Sequence, residues 1–270
     1  MDLKLPDYQV TGASDVTVFL LHGIYGSKDY WRFVTERLLA RGYRVVAMDA
    51  PGYGLSRLPD PFSFDVVAEA AAHLVKAQGT IRNVFFGHSM GGQITPRIRL
   101  KVPDLVHGIV IASTIGYFAN RTKEEQEEFV RKRTAPPPPG TDPIEANMMV
   151  VNSMLGPTSS GPEVDLVRLW ASRTPPDTVK AAVKAVQTYP EADALGAIKA
   201  VSIPSLLVAG EVDQVGHPAG MKRVADMIAG CEFGVVSGSG HYPWAENPAE
   251  FNDIFFGFLE RNFPAAGSGS

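Results

Sequence analysis

Asn83-Val84-Phe85-Phe86-Gly87-His88-Ser89-Met90-Gly91-Gly92 decides how the rest of the chain is read. Val84 to Phe86 is a short apolar run of the kind a buried strand carries. It leads into Gly-x-Ser-x-Gly and then into a stretch of helical character. A serine on such a sharp strand-to-helix turn holds strained dihedrals and projects its hydroxyl from the sheet edge. Gly87 and Gly91 are needed because a Cβ at either place would strike the neighbouring strand or helix. The helix beginning at Met90 turns its amides and dipole toward whatever the serine attacks.

Outward from this stretch, strands and helices alternate. Val16 to Leu21 is an apolar, β-branched run, read as a buried strand. It ends in His22-Gly23-Ile24-Tyr25-Gly26-Ser27, a loop whose backbone amides can point into a site. Residues 28–41 space Trp31, Phe33, Val34, Leu38 and Leu39 as a helix does, with Gly42 as its stop. Arg44 to Met48 is the next strand, followed by the turn Asp49-Ala50-Pro51-Gly52-Tyr53-Gly54-Leu55-Ser56. Phe64 to Gln78 reads as a helix between Ser63 as cap and Gly79 as stop. Residues 91–101 read as a helix in which Pro96 predicts a kink or a locally widened turn. Residues 106–112 form another strand. Alternation at this spacing predicts an α/β fold with a mostly parallel sheet and right-handed crossovers.

The character changes at Thr114. Glu124, Glu125, Glu127 and Glu128 precede Arg131-Lys132-Arg133, an order that suits a solvated helix with a Thr122–Glu125 capping box. Residues 144–155, 164–171 and 178–189 read as further helices, and 116–198 carries no clear strand. The sheet resumes at 205–208, followed by a helix at 221–228, a strand over Glu232 to Val236 and a closing helix at 248–261.

Composition narrows the classes. Of 270 residues, 45% are apolar and 20% charged, with net charge −4, ordinary for a globular protein and unsuited to nucleic acid. No apolar run is long enough to span a membrane. The first residues lack the charged-then-apolar order of a signal peptide, and Cys231 is a lone cysteine, so a cytoplasmic protein is expected. Residues 265–270 read as a flexible tail.

A serine hydroxyl needs a base to become a nucleophile, and the base needs an orienting acid. Ser89, Asp213 and His241 each follow an expected strand. The carboxyl ends of parallel strands share one sheet edge, so these three converge there. Glu211, on the loop of Asp213, is the alternative acid. The Met90 amide supplies one donor for a developing oxyanion. No histidine or cysteine cluster has metal-ligand spacing, so no cofactor or metal is expected.

These residues resemble the α/β-hydrolase superfamily, near its small lidded esterase, lactonase and carbon–carbon-bond hydrolase branches. Gly87-His88-Ser89-Met90-Gly91 resembles the nucleophile elbow, and His22-Gly23 the oxyanion loop. Asp49-Ala50-Pro51-Gly52-Tyr53-Gly54-Leu55-Ser56 matches that family's Asp-x-Pro-Gly-x-Gly-x-Ser turn. Gly210-Glu211-Val212-Asp213 resembles the acid loop, and Gly240-His241 with Glu246-Asn247-Pro248 the histidine loop. The resemblance implies an α/β-hydrolase core over 1–115 and 199–264, with a helical lid over 116–198. It implies the Ile24 amide as the second oxyanion donor and a role for His22 in orienting that loop. It makes His88 structural.

Candidate pocket residues are Tyr25, Trp31, Tyr117, Met148, Met154, Trp170, Trp244 and His217, although aromatic and methionine side chains at helical spacing also build cores. An apolar lid implies an apolar acyl or aromatic substrate. The leading expectation is a serine hydrolase cleaving an ester or lactone. The alternative is a carbon–carbon bond hydrolase of vinylogous diketones, for which Arg97 or Arg99 would grip a carboxylate. A lesser one is a small-molecule receptor on the same fold. The partner is a small molecule, with neither nucleic acid nor membrane; monomer and dimer both stay open.

Overall fold

The structure, a computed structural model, describes residues 5–114, 122, 124, 127, 128, 131, 137–188 and 196–265. Seven strands form one sheet: β1 (Tyr8–Thr11), β2 (Val16–Leu21), β3 (Arg44–Met48), β4 (Arg82–His88), β5 (Gly108–Ala112), β6 (Ser205–Gly210) and β7 (Glu232–Val236). Their order is β1-β3-β2-β4-β5-β6-β7. β1 runs antiparallel to β3, and every other pair is parallel. β1 was not expected from the sequence: its pattern of half-buried and exposed residues is that of an edge strand, not of an apolar run.

Period-two alternation sorts the strand side chains onto two faces. Val18, Leu20, Val84, Phe86, Val110, Leu206 and Val208 join one core, with the aromatic face of the last helix, Phe251, Phe255 and Phe258. Phe19, Leu21, Phe85, Ile109, Ile111 and Leu207 join the other, with Val67, Ala71, Leu74, Ile94 and Met221. Helices therefore cover both faces: α1 (Arg32–Ala40) on the first, and α2 (Phe64–Gln78) and α3 (Met90–Lys101) on the second.

Local chemistry sets the helix ends. The Ser63 hydroxyl accepts from the Val66 amide and starts α2. The expected helix over 28–41 begins as a 3-10 turn, Lys28–Trp31, because Ser27 caps it through the Asp29 amide; α1 follows. Pro96 lies inside α3 without ending it.

Between β5 and β6 lie α4 (Pro143–Met154), α5 (Pro162–Arg173) and α6 (Pro176–Thr188). Each starts with proline at a position where the missing N–H costs nothing. Most of the expected 122–133 helix lies outside the described residues; Glu124, Glu127, Glu128 and Arg131 are helical. This block is fastened to the rest by an Arg37–Glu163 ion pair and by the Thr178 hydroxyl, which donates to the Gly52 carbonyl at 2.8 Å. After β6 come α7 (Pro218–Ala225), the short α8 (Pro243–Glu246) and α9 (Pro248–Asn262). No helix among the described residues is long and apolar enough to cross a membrane.

A Cβ on Gly91 would lie 2.3 Å from the Leu21 carbonyl oxygen and 2.9 Å from that of His22. Backbone atoms cannot swing aside as a side chain would. Gly91→Ala is therefore expected to cost about 1–3 kcal/mol through overpacking. Urea unfolding of the two proteins measures it, and an unchanged midpoint would show that α3 can move off the end of β2.

Candidate active site

The chain passes from β2 to β3 on one side, then crosses back to β4 on the other side of β2. Such a reversal opens a crevice at the carboxyl ends of the strands. Leu21 pairs with Gly87, so the loop starting at His22 and the turn starting at His88 leave the sheet side by side. A Cβ on Gly23 would sit 3.1 Å from Ser89 Cβ, which shows how closely the two loops meet.

Ser89 has φ 52° and ψ −111°, a strained conformation for a residue with a Cβ. Its surroundings hold it there. The Ser89 amide donates to the Ala112 carbonyl at 2.9 Å, and the Thr114 hydroxyl donates to the Ser89 carbonyl at 2.8 Å. Met90, first residue of α3, has an amide without an acceptor inside its own helix.

Three side chains from three loops meet in one line. Ser89 Oγ lies 3.0 Å from His241 Nε2, and His241 Nδ1 lies 2.9 Å from Asp213 Oδ2. Asp213 is fully buried, and its other oxygen accepts the Val215 amide at 2.7 Å. Burial alone would push its carboxyl up. The charge and hydrogen bond of His241, with the Val215 and Gly216 amides, outweigh this and hold it below the usual carboxylate range. A carboxylate only accepts, so His241 carries its proton on Nδ1 and turns a bare Nε2 to the serine. Glu211 is exposed and accepts the Gly238 amide, so Asp213 alone of the two faces His241.

The His22–Gly23 loop is equally determined. His22 Nδ1 lies 2.7 Å from the Gly23 carbonyl, and the Ala50 amide donates to His22 Nε2 at 3.0 Å. His22 is therefore neutral, with its proton on Nδ1. Burial drives it below the ordinary histidine range, against the pull of Asp49. The Gly26 amide also donates to the Gly23 carbonyl. A peptide is planar and trans, so fixing the Gly23 carbonyl fixes the Ile24 N–H in the opposite direction. The Tyr53 hydroxyl fixes the next carbonyl, that of Ile24, at 2.9 Å.

The His241 loop is held from the helical block. The His241 amide donates to the Met154 carbonyl at 2.8 Å. Glu246 accepts from the Gly240 and Tyr242 amides, which flank His241, at 2.9 and 2.8 Å. It also accepts the Gly156 amide at 2.6 Å and the Ser159 hydroxyl. The sequence places Glu246 in a motif but gives no sign of these partners.

The expected pocket residues divide. Tyr25 is half-buried beside Ile24, and Met154 meets the His241 loop through its carbonyl. Trp31 and Trp244 belong instead to the core behind the turn, with ring centres 4.6 Å apart and Trp244 4.4 Å from His88. Full burial of their large apolar rings is the reason, and the spacing of the sequence could not separate core from pocket. Trp170 lines a groove of about 510 Å³ with Lys28, Arg32, Leu39 and Leu169, which none of Ser89, Asp213 and His241 lines. Met148 packs, half-buried, against the core. His217 is exposed and caps α7, its Nδ1 accepting the Ala219 amide; this cap and Pro218 start that helix earlier than the sequence predicts. Tyr117 lies outside the described residues. Arg97 pairs with Asp65 of α2, and Arg99 neighbours His107, which precedes β5 at the opposite edge of the sheet. Among the described residues no group of His, Cys, Asp or Glu side chains could hold a metal ion.

Two buried histidines make stability depend on pH. Burial holds His88 well below the ordinary histidine range; His22 is lowered too. Below about pH 6.5 the unfolded chain binds protons that the native His22 and His88 refuse. Stability should therefore fall from that pH downward, by up to about 1.4 kcal/mol per pH unit for each histidine. Asp213, depressed in the native state, adds a further loss below about pH 4. Urea unfolding at pH 7.5, 6 and 5 measures the first window; a flat profile would mean that His22 and His88 protonate without penalty.

Comparison with known proteins agrees with this architecture. The profile of the Alpha/beta hydrolase family matches residues 18–254. A stretch of 101 residues is 34% identical to Protein ABHD8 of Bos taurus, covering 36% of this chain and 23% of that protein. The fold is similar to a thermophilic esterase from Thermogutta terrifontis, with TM-score 0.79 and 24% identity over 94% of this chain and 93% of that one. It is also similar to Est816, described as an N-acyl homoserine lactone degrading enzyme, with TM-score 0.74 and 26% identity over 93% and 96% of the two chains. The strand order, the serine turn between β4 and α3 and a match over most of the sequence lead to one conclusion: the chain belongs to the alpha/beta hydrolase family.

Proposed function

We propose that the protein is a serine hydrolase that cleaves a carboxylic ester or lactone with an apolar acyl or aromatic part. The observation that carries this reading is the line from Ser89 Oγ through His241 to Asp213, at 3.0 and 2.9 Å. Ser89 Oγ attacks the carbonyl carbon while His241 Nε2 takes its proton. Asp213 stabilises the imidazolium through Nδ1. The carbonyl oxygen becomes an oxyanion, and the Met90 and Ile24 amides donate to it. The tetrahedral adduct collapses, the alcohol leaves with the proton from His241, and water then attacks the acyl-enzyme by the same route in reverse roles. In a lactone the leaving alcohol stays attached to the acyl group, so one hydroxy acid is released.

Residues 1–115 and 199–264 form the core in this reading, and 116–198 form a lid over the serine. The Met154 carbonyl on the His241 amide supports that assignment, because it brings the end of α4 to the base loop. Apolar side chains of the lid suit an apolar acyl group. Similarity to the lactone-degrading Est816 favours esters and lactones as the substrate class.

Proton release in weak buffer tests the reading, with short and long acyclic esters and a lactone as the panel. Ser89→Ala should abolish turnover. Asp213→Asn should lower kcat roughly 10^4-fold, because its NH2 can donate to His241 Nδ1 and place the ring proton on Nε2, facing Ser89. A folded protein inert on the whole panel, or Ser89→Ala as active as the parent, would sink the proposal.

A further inference from the structure

Tyr30 lies in the 3-10 turn, wholly buried, seven residues beyond Gly23. Its hydroxyl oxygen is 2.9 Å from the Gly23 amide and 2.9 Å from His88 Nδ1. His88 Nε2 is 2.9 Å from the His241 carbonyl oxygen. The direction of every bond in this chain is forced. A carbonyl only accepts, so His88 Nε2 carries a proton. Burial keeps His88 neutral, which leaves Nδ1 bare. A bare nitrogen only accepts, so the Tyr30 O–H donates to it. Burial likewise keeps the phenol protonated, and its oxygen accepts the Gly23 N–H. Three loops are thereby tied in series: the one carrying the Ile24 amide, the one carrying Ser89 and the one carrying His241.

We propose that Tyr30, acting through His88, is a positioning residue for the hydrolytic site, setting the His241 loop and the Gly23–Ile24 loop against Ser89. The inference rests on the hydrolase reading above. Tyr30 touches no reacting atom and moves no proton; it fixes where the base and an oxyanion donor stand. Without the hydroxyl, the Gly23 N–H and His88 Nδ1 are both buried and unpartnered. His88 keeps its proton on Nε2 for the His241 carbonyl, but its ring has lost the tie to the Gly23 loop. Ring and loop can then shift, and the His241 backbone that His88 holds shifts with them. Misplacement by about 1 Å can cost roughly 10²-fold in rate.

The experiment uses the full chain, its Tyr30→Phe variant and the panel substrate turned over fastest. Long-range proton–nitrogen correlation spectra of the parent should report His88 with its proton on Nε2. In Tyr30→Phe the His88 Nδ1 resonance should move, kcat should fall about 10- to 100-fold, and KM should stay within about twofold. A proton on Nδ1 in the parent overturns the proposal. So does a folded Tyr30→Phe with parental kcat, or one that loses only substrate affinity. Where Tyr30→Phe does not fold, the tautomer in the parent decides. Labelling of Ser89 by diisopropyl fluorophosphate separates the two levels of the argument. A parent whose Ser89 is not labelled sinks the hydrolase reading and this role with it; a labelled parent and an equally fast Tyr30→Phe sink only the positioning role.

Discussion

The parallel pairing of β2 with β4, with Leu21 opposite Gly87, is the constraint on which the candidate site depends. Two adjacent strands in register must release their chains at the same height. The loop at His22 and the turn at Ser89 therefore share one edge of the sheet, with no space between them for a side chain on Gly23 or Gly91. The remaining parallel pairs carry that edge along the sheet, through Ala112 beside His88 and Val236 beside Gly210. Asp213 and His241 are delivered to the same edge without any local signal linking them to Ser89.

Three histidines at this edge show how burial turns geometry into chemical identity. An imidazole in water exchanges its proton freely between two nitrogens. Here each ring has a partner that can only accept: the Gly23 carbonyl for His22, the His241 carbonyl for His88 and the Asp213 carboxylate for His241. Each proton thus has one place. Only His241 turns its bare nitrogen toward a hydroxyl beside the crevice, at Ser89; His22 uses that nitrogen on a backbone amide and His88 on Tyr30. The His88 ring meets Trp244 edge-on, and Trp244 lies tilted against Trp31, so buried aromatic surface rather than solvent surrounds the ring.

Most of the sheet is legible in the sequence because five of its strands are buried apolar runs, and β7 still carries Phe233, Val235 and Val236. β1 escapes because an edge strand needs no continuous apolar run. The serine, aspartate and histidine are legible because each lies beyond the carboxyl end of a parallel strand, so topology alone gathers them. The pocket is not. Trp31 and Trp244 have the composition of a binding surface, yet only three-dimensional packing reveals that their rings fill the core. His217 has the position of a site residue, yet Pro218 makes it a helix cap. Tyr30 and Glu246 act through hydrogen bonds to backbone groups. Such partners leave no trace in residue spacing, since every residue but proline offers the same amide.

Glu246 also bears on inheritance. One carboxylate gathers Gly156 and Ser159 from the helical block and Gly240 and Tyr242 from the His241 loop. The block between β5 and β6 is continuous in sequence and invites transplantation between relatives as a cassette. The unit that travels intact is discontinuous: it comprises the block together with the segment from Ser237 through Glu246. A graft cut only at β5 and β6 would import one half of a shared joint and leave the other half behind. Recombination within this fold is thus constrained by where hydrogen-bond partners reside, rather than by where the chain enters and leaves the sheet.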